Sequence, residues 1–168
     1  MSQLGVHFAL SADDDKKLLS FRSEDDLMEY LEEELEETYF KLWKEQWVAE
    51  SDKAWDAIHR ALTDGEFDFD NGQYPLSHCI AGGRQLYSGD DYIVAYKSSK
   101  EVADIAGALR DFTNEQLADG YWLINRETYQ AEVDAEDLDY TTVWFGIIKG
   151  LYSRAAEAGR SVIFTVSQ

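Results

Sequence analysis

The run Ser161–Val166 (SVIFTV) constrains this chain more than any other stretch. It is rich in β-branched and aromatic residues and unbroken in apolar character, so it reads as a strand central in a sheet. Just before it, Leu138 to Ala158 reads as the main C-terminal helix, with Trp144, Ile147, Ile148, Leu151, Tyr152 and Ala155 on one broad apolar stripe and Gly159 ending it. At the other end, Gln3–Leu10 reads as an opening strand with Val6, Phe8 and Leu10 on one face, and Tyr92–Tyr96 (YIVAY) as a buried strand. These pieces predict an α+β fold: a single compact domain over residues 1–168, with a small mixed sheet containing the N- and C-terminal strands and packed by several helices. A length of 168 residues fits one domain, and one Pro with eleven Gly argues against a linker-rich layout.

Helix starts are written clearly between the strands. Ser98-x-x-Glu101 is a full capping box ahead of Val102, Ile105, Ala106 and Leu109; Thr113 caps a further short helix with Leu117. Ser11 caps a short helical turn with Asp13–Asp15 at its positive end. Ser23-x-x-Asp26 opens a helical pattern through Leu27, Met28, Leu31 and Leu35, continuing loosely to Tyr39, Leu42, Trp43 and Trp47, with a break expected near Glu37–Thr38. Asp52 is read as the N-cap of a helix Lys53–Thr63 closed by Gly65, with Trp55, Ile58 and Leu62 inward, Ala54 and Ala61 permitting close approach, and His59 at the stripe's edge. Asp56 and Arg60 are expected to form an exposed i,i+4 pair worth only ~0.3–0.5 kcal/mol. Pro75 suits the first turn of a short helix Leu76–Ala81, ended by Gly82-Gly83. Tyr121–Glu136 is read as irregular, with Trp122, Leu123 and Ile124 pinned to the core. Gly146 and Gly150 share a helix face and would let a neighbour pack closely; flanking acids and bases exclude a membrane dimer motif.

Charge excludes some functions. There are 34 acids against 15 bases, a net charge of −19, and residues 1–50 hold 14 of the acids with 5 of the bases. Such a field repels nucleic-acid phosphates and anionic membranes and attracts a basic protein partner. No run approaches the ~20 apolar residues of a membrane span, and a single Cys forms no internal disulfide, which suits a cytoplasmic location. The acid run from Glu32 is most simply a solvated helix face. Its Glu33, Glu36 and Glu37, with Trp43 and Trp47 one turn apart, are the candidate partner-binding residues.

The rare residues gather in Ser51–Gly83, which holds His59, His78, Cys79 and Pro75. Trp55, His59, His78 and Arg84 form the candidate ligand-binding group, in which Trp55 would stack a ring, Arg84 would hold an anion, and a His would act as acid or base near neutral pH. The alternative is that both histidines are hydrogen-bonded core or edge residues, and that reading is favoured. His78 and Cys79 are adjacent, diverge on a helix and form no dyad; a Cys79 nucleophile would need His7 or His59 brought to it by the fold. Asp68, Asp70 and Asn71 lack the spacing of a calcium loop, and no P-loop, G-x-S-x-G, H-E-x-x-H or paired-cysteine pattern occurs. The chain therefore reads as a binding or interaction module, inhibitor- or immunity-like, rather than an enzyme, with no metal and no cofactor implied.

DKAWDAIHRALTDG, PLSHCIAGG, EVADIAGALRDF and DLDYTTVWFGIIKGLYSRAAEAGRSVIFTV together resemble the YfbM-like family of small bacterial proteins over residues 51–168, with the opening strand matching as well. Glu24–Glu50 looks like the family's variable region, and Tyr121–Glu136 departs from the pattern, lacking a Tyr-Pro pair. The resemblance implies a compact α+β domain of unknown function and carries over no catalytic residue.

Overall fold

The computed structural model describes residues 3–41 and 45–168. Five strands form one sheet in the order β2-β1-β5-β4-β3, with β1 Gly5–Leu10, β2 Val48–Asp52, β3 Arg84–Gln85, β4 Tyr92–Lys97 and β5 Ser161–Ser167. The fold is α+β, and the C-terminal strand is central, flanked by β1 and β4. The sheet is antiparallel throughout rather than mixed. The connection from β4 to β5 accounts for that pair. It passes through two long helices, α5 Ser99–Arg110 and α7 Ala135–Glu157, with the short α6 Asn114–Tyr121 between them. Ser98 and Ser99 at the start of α5 line one hollow with Ala158 and Gly159 at the end of α7. Lys149 Nζ, further back on α7, donates to the Phe112 carbonyl just past the end of α5 (2.8 Å), so the two long helices run antiparallel and return the chain reversed.

Both faces of the sheet are covered, which is why β5 shows no polar alternation. Ala9, Ala95, Val162 and Phe164 face a core built with α4 Trp55–Leu62, α5, α6 and α7. Phe8, Leu10, Val94, Tyr96 and Ile163 face a second core under α1 Ala12–Leu18, α2 Glu24–Tyr30 and α3 Glu36–Lys41. The helix caps stand where the sequence places them: Ser11, Ser23, Ser98 and Thr113 each accept a backbone N–H, and Ser98–Glu101 and Thr113–Gln116 are complete capping boxes.

Several expectations are corrected. There is no break at Glu37–Thr38; the chain stays helical from α2 to α3 through a π turn at Leu31–Leu35. Leu27, Leu31, Leu35 and Tyr39 recur every four residues, a spacing that drifts around an α-helix, and the wider π turn keeps all four buried. Val48–Asp52, between the two helical patterns, is an edge strand in which Ala49 and Ser51 turn inward while β1 supplies the ladder. Asp52 ends that strand at φ 47 and caps nothing; its carboxylate instead accepts the Tyr140 hydroxyl (2.5 Å). Leu76–His78 is a single 3-10 turn rather than a helix running to Ala81. Ile124 is buried, yet Trp122 and Leu123 face solvent at 45% and 75% exposure, and Ile147 is 42% exposed while Phe145 takes its place inside. Trp43 and Leu42 lie outside the described residues. Ala61 does permit a close approach: a Cβ on Gly120 of α6 would sit 2.0 Å from its carbonyl oxygen, so only glycine fits there.

Among the described residues, no helix is long and apolar enough to cross a membrane.

Candidate functional site

The rare residues of Ser51–Gly83 are mostly held by the core. His7 on β1 is fully buried, and its Nε2–H donates to the Cys79 carbonyl (2.9 Å); the Tyr152 hydroxyl donates to the same oxygen (2.5 Å). Burial, then repulsion from Lys97, pulls the His7 imidazole down to about 3, so it is neutral near pH 7. Lys97, also fully buried, donates to the carbonyls of Ile80 and Ala95. Burial pushes the Cys79 thiol up to about 12, the opposite of what a thiolate nucleophile requires. Strand β1, strand β4 and helix α7 thus pin the Cys79–Ile80 turn from three sides, and the polar groups serve as anchors.

The four residues expected to share a cleft are placed differently. Trp55 and His59 meet through Phe67, whose ring lies 5.3 Å from the Trp55 ring and 4.9 Å from that of His59. His59 is buried rather than at an edge, and its Nε2–H donates to Asn71 Oδ1 (2.8 Å). Asn71 in turn donates to Thr63, Asp64 and Glu66, so it closes the acidic loop that follows α4. His78 packs against the Tyr74 ring and faces the Glu101 carboxylate at 3.4 Å; burial lowers its imidazole against the opposing pull of that carboxylate. Arg84 pairs with Tyr96 in the β3–β4 ladder and projects to the opposite face of the sheet from Trp55 and His59, beside Leu18 and Leu27. Ladder register therefore separates Arg84 from that pair.

Of the partner candidates, Glu33 and Glu37 are exposed, and Glu37 pairs with Lys41. Glu36 is half-buried and accepts the Tyr92 hydroxyl (2.8 Å). The Trp47 ring is covered by the Arg160 guanidinium 3.7 Å above it.

The arrangement with the most chemistry lies at the start of α4. Trp55, Asp56 and Arg60 line a hollow of about 440 Å³ with Lys53, Phe67, Thr128, Tyr129 and Gln168. Trp55 is fixed by its indole N–H, which donates to the Gln3 carbonyl (2.8 Å). Arg60, only 5% exposed, is not the solvent-facing residue its spacing predicts. Its Nε donates to Asp56 Oδ1 (2.5 Å), and its Nη1 donates to the Thr128 hydroxyl (2.8 Å) and the Gly65 carbonyl (3.2 Å). The loop after α6 folds over the pair and buries it, bringing the Tyr129 ring to 5.7 Å from the guanidinium. Burial pushes the Asp56 carboxyl up, against the pull of Arg60. Tyr129 and Tyr121 both donate to Asp137, which holds that wall in place. Gln168 Nε2 is buried without a hydrogen-bond partner.

Sequence reasoning reached Trp55 but missed Asp56, Arg60 and Tyr129. The only signal was the i,i+4 spacing of Asp56 and Arg60, which does not reveal a cover arriving from more than sixty residues away. Among the described residues, no group of three or more His, Cys, Asp or Glu side chains is arranged to hold a metal ion.

Comparison with known proteins gives the chain a family and a fold. The profile of a family described as a domain of unknown function (DUF1877) matches residues 1–165. No curated protein matches the chain. The crystal structure of YfbM from Escherichia coli, described as a protein of unknown function, superposes with a TM-score of 0.65 over 97% of this chain and 99% of that one, at 16% identity. At that identity the likeness concerns the fold.

Proposed function

The chain belongs to the DUF1877 family, a domain of unknown function, and we propose that this member is a non-enzymatic binding protein whose ligand seat is the hollow at the start of α4. The ligand class is a compact, planar organic molecule bearing an acceptor group such as a carboxylate or amide carbonyl. One observation carries this reading: buried Arg60, paired with half-buried Asp56, stands beside three aromatic side chains, Trp55, Phe67 and Tyr129, in a hollow of about 440 Å³. That size lies within the ~300–1,000 Å³ of small-molecule sites, where placed polar groups fix a ligand's orientation. Lys53 and the unpartnered Gln168 Nε2 supply donors for an acceptor on the ligand. Binding rather than catalysis is favoured because Asp56 and Arg60 are engaged with each other and with Gly65 and Thr128, leaving neither as a free acid or base.

The test is a fragment set of aromatic acids and amides screened against the intact protein by thermal shift and by the Trp indole N–H resonances. Active fragments should move the Trp55 indole signal, assigned by its loss in Trp55→Phe. In Trp55→Ala, affinity should fall at least tenfold, on the order of 1.4 kcal/mol. If active fragments bind Trp55→Ala unchanged, the seat is elsewhere.

A second reading has its own support. Asp25, Asp26, Glu29, Glu32 and Glu33 stand exposed along the helical run Glu24–Lys41, where, among the described residues, Glu34 pairs with Lys17 and Glu37 with Lys41. Such a face suits a basic protein partner. Binding of a cationic polypeptide should then weaken steeply between 50 and 200 mM salt (about a Debye length of 14 to 7 Å) and on Glu33→Gln/Glu37→Gln, while Trp55→Ala has no effect. Salt-independent binding would remove this reading.

A further inference from the structure

We propose that α7 is the contact through which two copies of this chain associate, antiparallel and about a two-fold axis near position 145. On the outer face of α7, Val143 is 64% exposed and Ile147 42%, two β-branched side chains one turn apart on a 23-residue helix. Gly146, beside them, has nothing among the described residues within 4 Å of where its Cβ would sit, so a neighbouring backbone can approach closely.

What selects a second copy as the occupant is charge. Exposed Glu136 and exposed Arg154, whose Nε donates to the Gln46 carbonyl (2.9 Å), lie about five helical turns apart on the line that also carries Val143 and Ile147. Both pairs are centred on position 145. An antiparallel copy therefore places Val143 against the partner's Ile147 and Glu136 against the partner's Arg154, twice over by symmetry, as an isologous interface requires. Antiparallel helices also align their dipoles favourably. A different protein would need its own complementary stripe, whereas this face already complements itself.

The net charge of −19 on each copy opposes association, and one helix face buries less than the ~800 Å² per partner of stable interfaces. Association is accordingly weak, reversible and concentration-dependent. The experiment is sedimentation equilibrium of the full chain at ~0.15 M salt, from about 10 µM to about 1 mM. The mass should rise from 19.2 kDa toward twice that value. Ile147→Glu should remove the rise. Arg154→Glu should weaken association about tenfold, and Glu136→Arg/Arg154→Glu should restore it. These positions are exposed, so unchanged circular dichroism checks the fold of each variant. A wild-type mass that stays at the monomer value, assembly beyond two copies, or failure of the double variant to recover relative to Arg154→Glu would overturn the proposal.

Discussion

Replacing Lys97 with methionine is expected to remove a pH-dependent part of the protein's stability. Lys97 is fully buried, with carbonyl oxygens of Ile80 and Ala95 as its hydrogen-bond acceptors. Burial pulls its ammonium from the ordinary 10.5 down to about 7. Between those values the unfolded chain holds a proton that the folded chain has released, so stability rises with pH, by about 1.4 kcal/mol per unit. Below pH 7 both states are protonated; the slope vanishes and the cost of the buried charge is fully present. From pH 7 to 9 the wild type should therefore gain on the order of 2 kcal/mol relative to Lys97→Met, since the folded lysine is half-titrated at pH 7. Cysteine and tyrosine ionisations are common to both proteins and cancel in the difference. Urea unfolding at several pH values measures it, and curves that run parallel for the two proteins would show that Lys97 is not held neutral by the fold.

The second large effect concerns Arg60. As an exposed pair, Asp56–Arg60 would contribute ~0.3–0.5 kcal/mol, and its loss would scarcely register. Arg60 is instead 5% exposed and bonded to Asp56, Gly65 and Thr128. Arg60→Leu would strand the half-buried Asp56 carboxylate and remove the guanidinium's bonds to Gly65 and Thr128, so it should cost about 3–5 kcal/mol. Asp56→Leu/Arg60→Leu should recover much of that loss, because no unpaired charge then remains. A loss under ~1 kcal/mol for Arg60→Leu would mean that solvent reaches the pair, contrary to the packing of Thr128 and Tyr129 over it.

The contrast between those two magnitudes shows where sequence reading stops. The terminal strands, the long C-terminal helix and the capped starts at Ser11, Ser98 and Thr113 were legible because each is written within a few neighbouring residues. Strand Val48–Asp52 was not, since VAESD has little β propensity and owes its state to pairing with Gly5–Phe8 far along the chain. The same holds at the site. Trp55 stood out by type, but Arg60 changes character only because Thr128 and Tyr129 fold over it, and Arg84 leaves the expected group because the β3–β4 ladder points it to the other face of the sheet. Spacing defines a helix face; it does not say what will later cover that face.

The π turn at Leu31–Leu35 makes a related point. Four apolar residues at a strict spacing of four announce a helix, and either one long helix or two joined near Glu37–Thr38 fits that pattern. The fold keeps the helix and widens one turn instead, leaving Leu31 and Leu35 buried and the intervening glutamates exposed.

The most direct measurement is a crystal structure of the protein soaked with the fragment that raises its melting temperature most. The account predicts that the fragment's ring lies among Trp55, Phe67 and Tyr129, with its acceptor within hydrogen-bond reach of Lys53 or Gln168 Nε2 and the Asp56–Arg60 pair intact beside it. A fragment seated elsewhere, with the α4 hollow unchanged, would contradict it.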